Sequence, residues 1–213
     1  MICGVDEAGK GPVFGPMVIA GVGCDLPETI RDLGLKDSKL LTSRRREELY
    51  PLIQDRCHIA TKVIDASEID RVRRKMTMNE CVALAHAEVI RKLEPSVAYV
   101  DACDVNADRY GEMVRHQLPF VCRVISEHRA DSTYEIVSAA SIVAKVIRDR
   151  AISVLADEFG EIGSGYPSDP VTITFLAAYI REHKTPPPFA RTSWKTVREM
   201  MGENGQTSLL RFV

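Results

Sequence analysis

The sequence predicts an α/β fold, and three observations carry the prediction. Five short runs rich in apolar and β-branched residues are interleaved with longer stretches of helical periodicity. At 213 residues, with 45% hydrophobic and 27% charged residues, the chain has the composition of an ordinary globular protein and enough length for one large domain or a domain with an appendage. Several of the apolar runs end in a carboxylate, which places acid where a strand meets its loop.

The first strand starts at Ile2 and runs into Asp6 and Glu7. It is too short for periodicity to separate it from a buried helix, but Gly9, Gly11 and Pro12 break a helix at once. Neighbouring side chains of a strand point to opposite faces, so Asp6 and Glu7 are expected to converge through a bend that the glycines make cheap. Residues 17–24 form a second strand, antiparallel to the first, with Asp6 near the closed end of the hairpin. Residues 40–53 are helical, capped by Thr42 or Ser43, and 57–64 alternate as a third strand. A basic helix over 66–75 precedes a second over 79–93, whose stripe is Val82, Leu84, Ala85, Val89 and Ile90. Beyond Pro95, the strand 96–100 delivers Asp101, a helix covers 107–118, and the strand 120–125 leads to His128 and Asp131. The longest helix, 138–159, carries small residues that permit close contact with a sheet. A breaker-rich loop over 163–170 ends in Asp169-Pro170, a cap and first-turn pair opening a helix to about residue 181. The prolines at 186–188 precede a last helix near 193–201 and a polar tail.

The net charge of -2 argues against non-specific coating of nucleic acid. No apolar run approaches the roughly 20 residues needed to span a bilayer, and the N-terminus lacks a signal peptide's features, so a cytoplasmic protein that contacts no membrane is expected. Cys3, Cys24, Cys57, Cys81, Cys103 and Cys122 form no C-x-x-C pair and sit mostly among apolar neighbours, so reduced core thiols are expected rather than disulfides or zinc ligands. Basic residues gather at Lys36, Lys39 and Arg44 to Arg46 and again at Arg71 to Lys75, as phosphate contacts or as solvated helix faces.

Asp6, Glu7, Asp101 and Asp131 all lie at or just after strands, and strand ends of an open sheet share a crevice. Four clustered carboxylates repel unless cations neutralise them. Two magnesium ions would do so, and would serve hydrolysis of a phosphodiester. The Gly9-Lys10-Gly11 turn beside them suits a phosphate oxygen. The alternative is a surface turn with solvated acids. His128 is a conceivable general acid, but two-metal hydrolysis needs no imidazole and a structural role is expected.

Seven segments, in order along nearly the whole chain, carry a resemblance: GVDEAGKGPVFGPMVIA (4–20), KDSKLL (36–41), MNE (78–80), YVDACDV (99–105), EHRADSTYEIVSAASIVAKVIRD (127–149), GSGYPSDP (163–170) and RTSWKT (191–196). Together they resemble ribonuclease HII, the type 2 ribonuclease H family, in its archaeal form. The resemblance implies an RNase H-like fold, a mixed five-stranded sheet flanked by helices, with a catalytic domain over 1–185 and a C-terminal helix and tail over 186–213. It implies hydrolysis of RNA joined to or paired with DNA, using two magnesium or manganese ions held by Asp6, Glu7, Asp101 and Asp131. It also implies a monomer. Asp104 falls off the matching position and is read as solvated or supporting. Gly9, Lys10 and Gly11 match the segment that reads the ribose edge, lysine standing where arginine is commoner, which keeps the charge but loses the planar fork. Tyr166 matches the tyrosine that stacks on the following deoxyribose. A loop aromatic packed on the last helices is the other reading.

A 2′-hydroxyl both donates and accepts, and glycine backbone can approach it unobstructed. Cleavage on the 5′ side of a ribonucleotide, even a single embedded one, follows from that reading. Lys39, Arg46, Asn79 and Lys195 are candidates for flanking phosphates, Asn79 being alternatively a helix cap. In the tail, Gln206, Leu209, Phe212 and Val213 resemble the peptide by which replication proteins bind the PCNA-type sliding clamp. The alternative is a terminal turn packed on its own domain. Two other functions compete. A 3′-to-5′ exonuclease of the four-acid type would separate its first two acids by one residue, and Asp6 and Glu7 adjoin. A non-catalytic phosphate-binding module fails the P-loop pattern, because Pro12 stands where serine or threonine belongs.

Overall fold

In the computed structural model, which describes residues 1–35 and 41–202, the strand that begins at Ile2 is the middle of a five-stranded sheet. The strands are β1 (Ile2–Ala8), β2 (Met17–Cys24), β3 (His58–Ile64), β4 (Val97–Asp101) and β5 (Arg123–Glu127), in the order β3-β2-β1-β4-β5. β1 pairs antiparallel with β2 and parallel with β4, so the sheet is mixed, as expected. The helices are α1 (Ser43–Arg56), α2 (Ala66–Arg73), α3 (Met78–Leu93), α4 (Ala107–Arg115), α5 (Ala130–Thr133), α6 (Glu135–Phe159), α7 (Pro170–His183) and α8 (Lys195–Met200), with one 3-10 segment at Pro27–Leu33. The expectations for Lys39, Gln206, Leu209, Phe212 and Val213 lie outside the described residues.

The two faces of β1 are covered by different helices, and the alternation of the strand sorts its side chains between them. Cys3 and Val5 join a core with α3, including Val82, Val89 and Ile90. Ala8 packs on the other face with Ala139, Ala140 and Val143 of α6. Gly4 lets α6 lie directly on the strand: a Cβ there would stand 2.3 Å from the backbone carbon of Ile136. A third cluster joins Val13 and Phe14 after β1 to Leu176 of α7 and to Phe189 and Val197 beyond the proline run. Phe14 meets Phe189 edge to face at 5.4 Å.

Three expectations are corrected. No bend separates Asp6 from Glu7. β1 stays paired with β2 through Ala8↔Val18, and the chain turns only at Gly9, whose φ is +86°. The strand expected over 120–125 begins at Arg123, where pairing with Val97 starts, and Val121 is exposed to solvent. Cys24 and Cys57 are disulfide-bonded, with Cα atoms 5.2 Å apart, rather than reduced. The reason is register: Gly23 pairs with His58, so the residues just outside that pair face each other across the ladder.

Candidate active site

The acid cluster sits where β1 and β4 stop pairing. The last pair between them is Val5↔Val100, and Asp6 and Asp101 are the residues that follow it on the two strands. Because β1 does not bend, its two carboxylates straddle it. Asp6 turns to the α6 face, where its side chain hydrogen-bonds Ser141, and its Oδ1 also accepts the Glu7 amide at 2.7 Å. Glu7 turns to the α3 face, where its Oε2 meets His86 Nε2 at 3.1 Å. Asp101 Oδ1 accepts the Ala130 amide at 2.7 Å, which sets Asp131, buried in the first turn of α5, next to it in the chain. Burial, then the Glu7 and Asp101 charges, push the Asp6 carboxyl well above the ordinary carboxylate range. Ser141 in turn accepts from Lys145 Nζ at 2.9 Å, which brings a cation within one hydroxyl of Asp6.

Among the described residues, no group of three or more His, Cys, Asp or Glu side chains stands as a ready ligand cage for a metal. The donor set nevertheless suits a magnesium-type ion. It is all carboxylate oxygen, its charges repel one another, and such ions keep several waters and take only one or two carboxylates before a phosphate joins them.

The turn beyond β1 forms the neighbouring wall. Arg191, wholly buried, donates to the carbonyls of Gly9 (2.6 Å), Lys10 (3.0 Å) and Gly15 (3.0 and 3.1 Å). Trp194 Nε1 donates to Gly11 O at 3.1 Å. In a planar trans peptide the C=O and the following N–H point in opposite directions, so the amides of Lys10 and Gly11 face away from Arg191. Thr192 and Ser193 are held by Asp70, which accepts both backbone amides and both hydroxyls at 2.6–3.0 Å. Arg148, also buried, packs under the turn at Gly9, and its guanidinium carbon lies 5.1 Å from the centroid of the Tyr166 ring. Burial, then Arg148, lower Arg191 to about 9, so it remains a cation at neutral pH. Tyr166 itself is 38% exposed, its ring 3.9 Å from where a Cβ on Gly11 would sit.

Lys10 folds towards the acids, its Nζ donating to Asn79 Oδ1 (2.8 Å) and Cys103 O (3.0 Å). Asn79 is not the helix cap. Thr77 caps α3 in a capping box with Glu80, which frees Asn79 to bridge Lys10 to Asp104 at 3.1 Å. Asp104 is buried rather than solvated. The Asn106 amide, Arg109 and Asn79 hold it down to about 2.

The structure thus gathers Asp6, Glu7, Asp101, Gly9 to Gly11, Asn79 and Tyr166 around one rim, with Asp131 following Ala130, whose amide holds Asp101. Arg46 is tied elsewhere, to Asp149 (2.8 Å) and Leu41 O (2.7 Å), joining α1 to α6. Lys195 points to solvent from α8, 3.5 Å from Glu199, and His128 is exposed in the turn after β5. His86, Tyr110, Ser141, Lys145, Arg148, Arg191 and Trp194 were not singled out as site residues by the sequence. The quoted segments hold all of these but His86 and Tyr110, so resemblance could flag them without giving a role.

A family model described as Ribonuclease HII matches residues 3–197. The ribonuclease HII of Methanoregula boonei is 61% identical over 212 residues, covering 100% of both chains. The crystal structure of ribonuclease H2 from Pyrococcus horikoshii OT3 superposes with a TM-score of 0.89 at 42% identity, covering 95% of this chain and 97% of that one. The ribonuclease HII of Archaeoglobus fulgidus, solved as a complex with PCNA, superposes at 0.88 with 41% identity over 100% of both chains.

Proposed function

The chain belongs to the ribonuclease HII family, making it an endoribonuclease of RNA/DNA hybrids, and from that premise we propose that it also cuts 5′ of single ribonucleotides embedded in duplex DNA. The products are 3′-hydroxyl and 5′-phosphate ends. The observation that carries this reading is the shared rim: the carboxylates of Asp6, Glu7 and Asp101 beside a Gly9-Lys10-Gly11 turn whose Lys10 and Gly11 amides face away from the buried Arg191, and a half-exposed Tyr166.

Asp6, Glu7, Asp101 and Asp131 would hold two magnesium or manganese ions, which when bound supply an activated water and stabilise the leaving oxygen. The buried Arg191 and Trp194 keep the turn in one shape, so its backbone meets a 2′-hydroxyl without reorganising. Lys10 adds positive charge between this turn and the acids. Tyr166, backed by Arg148, offers a flat ring to the next sugar, and a deoxyribose fits there because it lacks the hydroxyl. Arg46 and Lys195 supply at most outlying charge for flanking phosphates, since Arg46 already holds Asp149. In this scheme the enzyme works as a cytoplasmic monomer. Among the described residues, no helix is long and apolar enough to cross a membrane.

A duplex with one internal ribonucleotide and blocked ends, incubated with magnesium, manganese or chelator and compared with an all-DNA duplex, tests the reading. Cleavage 5′ of the ribonucleotide is expected with either metal and none with chelator. Asp6→Asn should slow turnover at least ~100-fold while the duplex still binds. Metal-dependent cleavage of the all-DNA control, or cutting only from free ends, would contradict it. The tail motif at Gln206, Leu209, Phe212 and Val213 is read as a sliding-clamp anchor, supported by the clamp complex of the Archaeoglobus relative. Deleting residues 206–213 should abolish binding to the clamp and leave cleavage of short duplexes unchanged. Retained binding would refute it.

A further inference from the structure

We propose that His86 and Tyr110 form a buried relay that fixes the orientation of the Glu7 carboxylate and thereby sets the affinity of the acid cluster for a divalent cation. The inference rests on Glu7 being a metal ligand.

His86 stands in the middle of α3 among Ala85, Ala87, Val82 and Val89, on a face where an apolar side chain would pack at no polar cost. Both His86 and Tyr110 are wholly buried. A buried imidazole is destabilising unless both ring nitrogens are satisfied. Both are: Nε2 meets Glu7 Oε2 at 3.1 Å and Nδ1 meets the Tyr110 hydroxyl at 3.0 Å, with the two rings edge to face at 5.8 Å.

The direction of each hydrogen bond follows from proton bookkeeping. An ionised carboxylate only accepts, so Nε2 carries the hydrogen that bonds Glu7. In the neutral ring Nδ1 is then the acceptor, and the Tyr110 O–H donates to it. The carboxylate therefore selects the tautomer, and the Tyr110 hydroxyl, by donating to Nδ1, holds the ring in that orientation. Glu7 needs such a restraint. Its charge and that of Asp101 both press on Asp6, and a free glutamate would relieve the repulsion by swinging outward. A lysine or arginine in place of His86 would also hold Glu7, but would cancel the negative charge a cation requires. An imidazole with its hydrogen on Nε2 fixes the carboxylate without the permanent charge of a lysine or arginine.

The test is calorimetric titration of Mn2+ into the nucleic-acid-free protein, with thermal melts to confirm that each variant folds. Glu7→Gln should weaken binding. His86→Phe keeps the ring volume and removes the donor, and its Kd should rise about tenfold. His86→Gln places an amide donor near the position of Nε2 and should return to within about threefold of the parent. Tyr110→Phe removes only the hydroxyl and should weaken binding less than His86→Phe. Binding by His86→Phe within about twofold of the parent, with Glu7→Gln impaired, overturns the relay, as does His86→Gln binding no better than His86→Phe. If Glu7→Gln binds Mn2+ unchanged, Glu7 is not a ligand, and the relay fails for that separate reason. If His86→Phe does not fold, the ordering of Tyr110→Phe and His86→Gln against the parent decides.

Discussion

Asp169 governs the loop that carries Tyr166. It caps α7 through the Val171 amide at 3.0 Å and gathers the Ser164 amide and hydroxyl, both at 2.7 Å. These donors, Ser164 foremost, hold its carboxyl down to about 2. In the unfolded chain an aspartate titrates near ~3.9. The native value is the lower one, so the unfolded state binds more protons in between. The stabilisation is therefore fully present above about pH 4 and lost as pH falls through about 2. Asp169→Asn should melt below the parent at pH 7, with the gap closing between pH 4 and 2 in thermal scans. A gap independent of pH would contradict this assignment. Single residues were also where the sequence was least legible. Asp6 and Asp101 announce themselves as acids ending apolar runs. His86 does not, because it lies inside an apolar helix and its partner Glu7 is 79 residues away.

Whole elements were easier to anticipate, since breakers and caps are local. Thr42 accepts the Arg45 amide at 3.2 Å and starts α1, as a reading of its neighbours suggests, and Asp169-Pro170 opens α7. Contacts between elements were not. The seating of α6 on β1 depends on Gly4, whose place in the strand looks like a weakness until the helix backbone is seen above it. Gly4→Ala would drive a methyl into the Ile136 carbonyl region, where backbone cannot yield as a side-chain tip does. The expected cost is about 1–3 kcal/mol, or roughly 2–12 °C in melting temperature for a chain of this size. A melting temperature within 1 °C of the parent, on the order of the effect of a neutral surface change, would show that α6 can lift without penalty.

At the scale of the molecule, register decides what local pattern cannot. Cys24 and Cys57 are 33 residues apart and meet only because β2 and β3 are aligned through Gly23↔His58. Thiol titration of the denatured, unreduced protein should count four reactive cysteines, Cys3, Cys81, Cys103 and Cys122, and six after reductant. Six without reductant would remove the bridge. The C-terminal segment is similarly non-local, with Arg191 reaching back 182 residues to the Gly9 carbonyl.

Because Asp6 is moored to a helix on one side of the central strand and Glu7 to a helix on the other, the gap between their carboxylates gauges the thickness of the three-layer sandwich. A methylene added to the core beneath either helix, far from the rim, would spread the pincers. The tightness of interior packing is therefore itself a calibration of the tool.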